Sequence, residues 1–137
     1  MTKDRALATK AELLSFEEAV KGAFLTGKVH GPVHLSGGNE DELIDIFKKV
    51  QEEDWVFSGW RNHYHALLKG INPQYILDEI KAGRSMMMHS KEHRFLTSAI
   101  VGGILPIALG VAQGIKWRGG SEKVWVFVGD MTARAGI

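Results

Sequence analysis

The chain has 137 residues, 45% hydrophobic and 24% charged, which is enough for one globular domain with a core and too apolar for disorder. Seventeen Lys and Arg against sixteen Asp and Glu leave a formal charge of +1, with basic residues scattered, so neither nucleic acid nor a membrane surface is indicated as partner. The absence of cysteine excludes a disulfide framework and thiolate chemistry, and the charged start MTKDRALATK lacks the apolar run of a secretory signal, so the expected compartment is the cytoplasm.

Thr9-Lys-Ala-Glu12 has capping-box spacing, and Leu13, Phe16, Val20, Ala23 and Phe24 then recur at helical intervals up to Gly27, which predicts an amphipathic helix. A second helix is predicted after Asn39, acidic at its start (Glu40, Asp41, Glu42), basic near its end (Lys48, Lys49), with Leu43, Phe47 and Val50 on one face. Trp55-Val-Phe57 reads as a short strand, Arg61 to Gly70 as a helix, and Asn72-Pro73 as the start of another that stops at Gly83. Residues 84–98 read as irregular. From Ile100 to about Lys116 the glycines and alanines suit a core helix with close neighbours or a wall that a ligand approaches. The longest apolar stretch, Ala99 to Ala112, is shorter than the roughly 17–25 residues that span a membrane. Lys123-Val-Trp-Val-Phe-Val128 is a terminal strand that delivers Gly129 and Asp130 at its tip.

Helices alternating with continuous apolar strands predict an α/β fold with helices on both faces of a parallel sheet. No repeat or linker divides the sequence, so residues 1–137 read as a single domain. In such sheets ligands bind beyond the carboxyl ends of the strands, where Asp130 falls. A carboxylate there suits Mg2+, held together with substrate phosphates, or equally caps the next helix. The six histidines form three pairs, His30/His34, His63/His65 and His89/His93, and two pairs have the i,i+4 spacing of zinc ligands. Gly31-Pro32 interrupts the first pair, and the reading preferred for single histidines is surface or core.

Five motifs stand in order: Gly31-Pro-Val-His-Leu-Ser-Gly-Gly-Asn-Glu40, Val56-Phe-Ser-Gly-Trp-Arg-Asn-His63, Ser85-Met-Met-Met-His89, Ala99-Ile-Val-Gly-Gly-Ile-Leu-Pro106 and Val128-Gly-Asp130. Together they resemble the α subunit (E1 component) of thiamine-diphosphate-dependent 2-oxo-acid dehydrogenases, within the transketolase-like superfamily, over residues 15 to 137. The resemblance implies the N-terminal part of a doubly wound thiamine-diphosphate-binding fold, with the cofactors thiamine diphosphate and Mg2+. It implies Asp130 as metal ligand and Arg61 on the diphosphate, with Trp60 where the family has Tyr. It further implies a carbonyl of Ala99 for the aminopyrimidine amine, an apolar prop from Val101, and cofactor contacts from Met131 and Thr132. His34, His63 and His89 match histidines that face the active-site cavity, whereas His30, His65 and His93 match none.

Two departures stand out. Family Gly-Gln-Glu is Gly38-Asn39-Glu40 here, and family Gly-Asp-Gly is Gly129-Asp130-Met131, where methionine adds bulk and restricts φ. The family's other metal ligands fall on a segment later than Ile137. The expectation is therefore an incomplete sheet and a split subunit that acts with a chain supplying the missing C-terminal half, a β-like E1 subunit and a lipoyl-bearing acyltransferase, in an oligomer. The implied chemistry is decarboxylation of a 2-oxo acid, or acetoin cleavage, with acyl transfer to a lipoyl carrier. The alternative is a non-catalytic remnant or interaction protein that kept the fold.

Overall fold

A computed structural model describes residues 7–136. Helix α1 (Lys10–Leu25) begins with the predicted capping box: Thr9 Oγ1 accepts from the Glu12 amide, and the Glu12 carboxylate accepts from the Thr9 amide at 2.7 Å. Such a cap stabilises a helix by about 1 kcal/mol. Its buried face carries Leu13, Glu17 and Val20, so a carboxylate sits inside an otherwise apolar stripe. Helix α2 (Glu40–Phe47) buries Leu43 and Phe47. Asn39 makes no side-chain cap; the Glu40 carboxylate instead accepts from the Gly38 amide at 2.8 Å.

Strand β1 (Trp55–Ser58) leads through a turn to α3 (His63–Leu68), which starts two residues later than predicted and buries all six residues. Helix α4 (Pro73–Lys81) starts where predicted, with Asn72 Oδ1 accepting from the Gln74 amide at 2.8 Å. Residues 84–98 are mostly turns and loop, as expected, but not wholly irregular. They contain β2 (His89–Ser90) and β3 (Phe95–Thr97), an antiparallel pair joined through Arg94, whose φ of 49° is left-handed. These strands are too short for alternation to reveal them. Helix α5 (Ile104–Trp117), strand β4 (Val124–Val126) and the short α6 (Asp130–Ala133) follow.

The sheet has the order β2-β3-β1-β4, with β1 parallel to both β3 and β4. Alternation along the strands divides the core in two. Val56 and Phe95, with Trp125 and Phe127, face the layer of α1 to α4; Phe57, with Leu96, Val124 and Val126, faces α5. The α/β architecture with helices on both faces thus holds, with one antiparallel edge strand. Asp54 joins β1 to β4: its carboxylate accepts from the Lys123 amide at 2.7 Å and from the Trp125 indole at 2.9 Å. Burial opposes its charge, but these donors and the Gln51 amide hold its carboxyl below the ordinary value. Lys69 is buried beside it and donates to the carbonyls of Gln51, Glu52 and Asp54. Among the described residues no helix is long and apolar enough to cross a membrane.

Candidate functional site

Because β1, β3 and β4 run parallel, their carboxyl ends emerge at one edge of the sheet. Beyond β1 the chain turns through Gly59-Trp60-Arg61, and the buried Asn62 fixes that turn by donating to the carbonyls of Gly59 (3.1 Å) and Trp60 (3.3 Å) while also reaching Ser85 (2.9 Å). Beyond β3, the Ser98 amide donates to the Ser58 carbonyl at 3.2 Å, and Gly102, with φ 73°, makes the bend into α5 that a side chain would strain. Beyond β4, Val128 and Gly129 lead to α6. These three segments, roofed by residues 35–39 before α2, enclose a cavity of about 410 Å3.

Trp60, Arg61, Ala99, Val101 and Thr132 all line this cavity, so three segments far apart in sequence converge. Arg61 is exposed and makes no ion pair among the described residues. Asp130 opens α6 between Gly129 and Thr132, both on the wall, while its own residue and Met131 are exposed outside it. Met131 lies in helical backbone and Arg94 is the sole non-glycine with positive φ among the described residues, so the methionine is not strained where the family has glycine.

The histidines depart from expectation. His34 stacks on Trp60, ring centroids 5.0 Å apart, but is not part of the wall, and its Nδ1 is buried without a partner among the described residues. His63 is fully buried below the cavity: Nδ1 donates to Glu17 Oε1 at 2.8 Å, and Nε2 pairs with Ser85 Oγ at 3.0 Å. Glu17 also accepts from the Ser36 amide at 3.1 Å, so one carboxylate anchors α3 and the roof segment together. His89 is exposed on β2, at the opposite end of the strand order from β4. The histidine on the wall is His65, for which the family resemblance implies no role. Residues two apart on a helix point about 200° away from each other, so with His63 turned toward α1, His65 turns toward the strand ends. Its Nδ1 lies 2.7 Å from Ser58 Oγ, and its ring stacks on Phe127 at 4.3 Å. Burial, with a smaller effect of His63, pushes its pKa down to about 3.

Glu40, of the Gly38-Asn39-Glu40 motif, is buried behind the roof. Burial opposes its ionisation, but its own amide, that of Gly38 and the Tyr64 hydroxyl lower its pKa, while burial and the Glu40 charge raise that of Tyr64. Among the described residues no three of His, Cys, Asp and Glu converge on a metal position, so the histidine pairs form no zinc centre and Asp130 is not one of a ready cluster.

The sequence profile of the family described as "Dehydrogenase E1 component" matches residues 9–137. The chain belongs to the dehydrogenase E1 component family. Among E1 relatives, the pyruvate dehydrogenase E1 component subunit alpha-3, chloroplastic, of Arabidopsis thaliana is 33% identical over 86% of this chain and 31% of its own length. The pyruvate dehydrogenase E1 component subunit alpha of Porphyra purpurea is 31% identical over 99% of this chain and 45% of its own length. The α subunit of the acetoin:2,6-dichlorophenolindophenol oxidoreductase of Cupriavidus necator is 28% identical over 88% of this chain and 39% of its own length. The chain thus spans less than half the length of these E1 relatives, and the α-subunit resemblance expected from its five motifs holds across that span.

Proposed function

We propose that the chain forms the cofactor-facing, N-terminal part of the thiamine-diphosphate-binding domain of an E1 α subunit, in an enzyme that decarboxylates a 2-oxo acid and passes the acyl group to a lipoyl carrier. The observation that carries this reading is the convergence of Arg61, Ala99, Val101 and Thr132 from three strand ends on one cavity, in a chain of the E1 family.

The donor set fits the cofactor. Arg61 offers a planar fork of N–H donors suited to a diphosphate, and no carboxylate among the described residues competes for it. The Ala99 carbonyl receives no hydrogen bond among the described residues, so it is an acceptor available to an amine. Val101 adds an apolar wall, and Asp130 a hard oxygen donor for Mg2+ beside a phosphate. When bound, thiamine diphosphate supplies a nucleophilic carbon that takes up the carbonyl of a 2-oxo acid and an electron sink for the loss of carbon dioxide. The residues of this chain orient it: Asn62 fixes the turn that carries Trp60 and Arg61, and Trp60, stacked on His34, forms part of the wall.

Asp130 would supply one carboxylate to a magnesium ion held otherwise by phosphate and water, and we assign activity to an assembly with a β-like E1 chain and a lipoyl-bearing acyltransferase. Acetoin cleavage is a second reading, favoured by the Cupriavidus necator relative, whose name gives acetoin as substrate. A non-catalytic remnant is less favoured, because Met131 lies outside the cavity wall. The test is calorimetry of the assembled α and β chains with Mg2+ and thiamine diphosphate. Saturable binding that Arg61→Ala weakens supports the reading; an assembly that takes up no cofactor overturns it.

A further inference from the structure

Ser58 and His65 form an isolated pair at the cavity wall. Ser58 is buried, and the hydrogen bond of its Oγ among the described residues is the one to His65 Nδ1, at 2.7 Å. If Nδ1 carried the proton, the Ser58 hydroxyl hydrogen would be buried with no acceptor among these residues. Hydrogen accounting therefore makes Ser58 the donor and Nδ1 the acceptor. The ring is neutral, since burial keeps its pKa near 3, so its proton sits on Nε2. Nε2 makes no hydrogen bond among the described residues, yet it is not among the sealed, unpartnered atoms there, which are His34 Nδ1 and Asn62 Oδ1. The ring stacks near Phe127 and Phe47 and His65 lines the cavity, so Nε2 is the polar atom of this ring left to meet a ligand there.

We propose that His65 is a specificity residue of this cavity, recognising through a fixed Nε2–H an uncharged acceptor, a ring nitrogen or a carbonyl oxygen, on the organic part of the ligand. The inference deepens the function proposed above, on which the choice of thiamine diphosphate as ligand rests. It divides the labour of the wall: Arg61 offers a charged fork suited to the phosphates, whereas His65 offers a single neutral donor, which suffices for an uncharged acceptor.

Two measurements test it. The first is nitrogen-15 NMR of the chain labelled at histidine. The expected result is an Nε2–H tautomer for His65 that persists from pH 5 to pH 8 and turns into a tautomer mixture in Ser58→Ala; an Nδ1–H tautomer, or an imidazolium forming near neutrality, overturns the proposal. The second is calorimetry of the α and β assembly with Mg2+, using thiamine diphosphate and inorganic pyrophosphate as separate probes. His65→Phe is expected to weaken thiamine diphosphate about five- to tenfold, the size of one neutral hydrogen bond, while His65→Gln restores part of the loss and pyrophosphate binds all three forms alike. Equal weakening of pyrophosphate, or no difference between Phe and Gln, overturns the proposal by showing a packing effect only. An unmutated assembly that binds no thiamine diphosphate defeats the functional reading and the ligand named here, whereas the tautomer stands or falls by the first measurement.

Discussion

The Nδ1 of His63 lies 2.8 Å from Glu17 Oε1, joining the third helix to the first at a point that solvent does not reach. Removing either partner strands a polar atom in the core. Glu17→Ala and His63→Ala are each expected to lower unfolding free energy by about 2–4 kcal/mol in urea denaturation, with the double variant less affected than the sum of the two. The family resemblance points His63 toward turnover; its burial points to stability. A His63→Ala protein as stable as its parent but slow in turnover would return this histidine to a proton-transfer role.

The fold should weaken in acid in two stages. In the folded chain His65 stays neutral down to about pH 3, whereas an unfolded imidazole takes up a proton below about 6.5. The unfolded state binds more protons in that interval, so stability falls as pH drops from 6.5 toward 3, at up to ~1.4 kcal/mol per pH unit. Asp54, held below its ordinary 3.8, adds stability that is present above that value and lost as pH falls through its lower folded value. Urea midpoints at pH 7, 5 and 4 should therefore decline, and decline less in His65→Gln. Parallel lines for the two proteins would contradict the burial of this ring.

Helix α5 exposes Ile107 and Leu109, and a side chain at Gly110 would meet nothing within 4 Å. Gly110→Leu should leave the isolated fold intact, or stabilise it by ~0.5–1 kcal/mol through helix propensity, while obstructing any close partner of that face. The expected outcome is an unchanged or higher melting temperature together with a smaller particle by light scattering. A monomer before and after the change shows that this face is not an assembly surface.

Asp130 is exposed, so Asp130→Ala should alter stability by no more than about 0.5 kcal/mol. In the α and β assembly the same change should abolish Mg2+-dependent retention of thiamine diphosphate through gel filtration. On its own the chain should retain none, because its described residues offer no cluster of metal ligands. Full retention by the variant assembly would leave Asp130 as a helix-end residue without a metal role.

What could be read in the sequence followed from local rules. Thr9 with Glu12, and Asn72 with Pro73, mark helix starts because capping needs only neighbours, and both appear as expected. The strand ends carrying Arg61, Ala99 and Thr132 were legible through motif order, and the fold brings them together. The short β2 and β3 were not, since two or three residues carry no period, and their pairing depends on a left-handed turn at Arg94. Glu17 was within reach: it shares the i, i+4, i+7 face with Leu13 and Val20, and a carboxylate there asks for a buried partner. The roles of His63 and His65 could not be separated by pattern, because every residue of α3 is buried and no polar face sets its rotation.

The carboxylate of Asp54 has a consequence in time as well as in energy. Its donors Lys123 and Trp125 lie 69 and 71 residues further along the chain, so a polypeptide emerging from the ribosome builds β1, the two helices after it and the β2–β3 pair while this acid still faces water. The latch closes only after α5 has been made and β4 can align with β1, which encloses a long loop at considerable entropic cost. Asp54→Ala should accelerate unfolding if the latch forms late, and an unchanged folding rate would mark it as a contact made after the rate-limiting step.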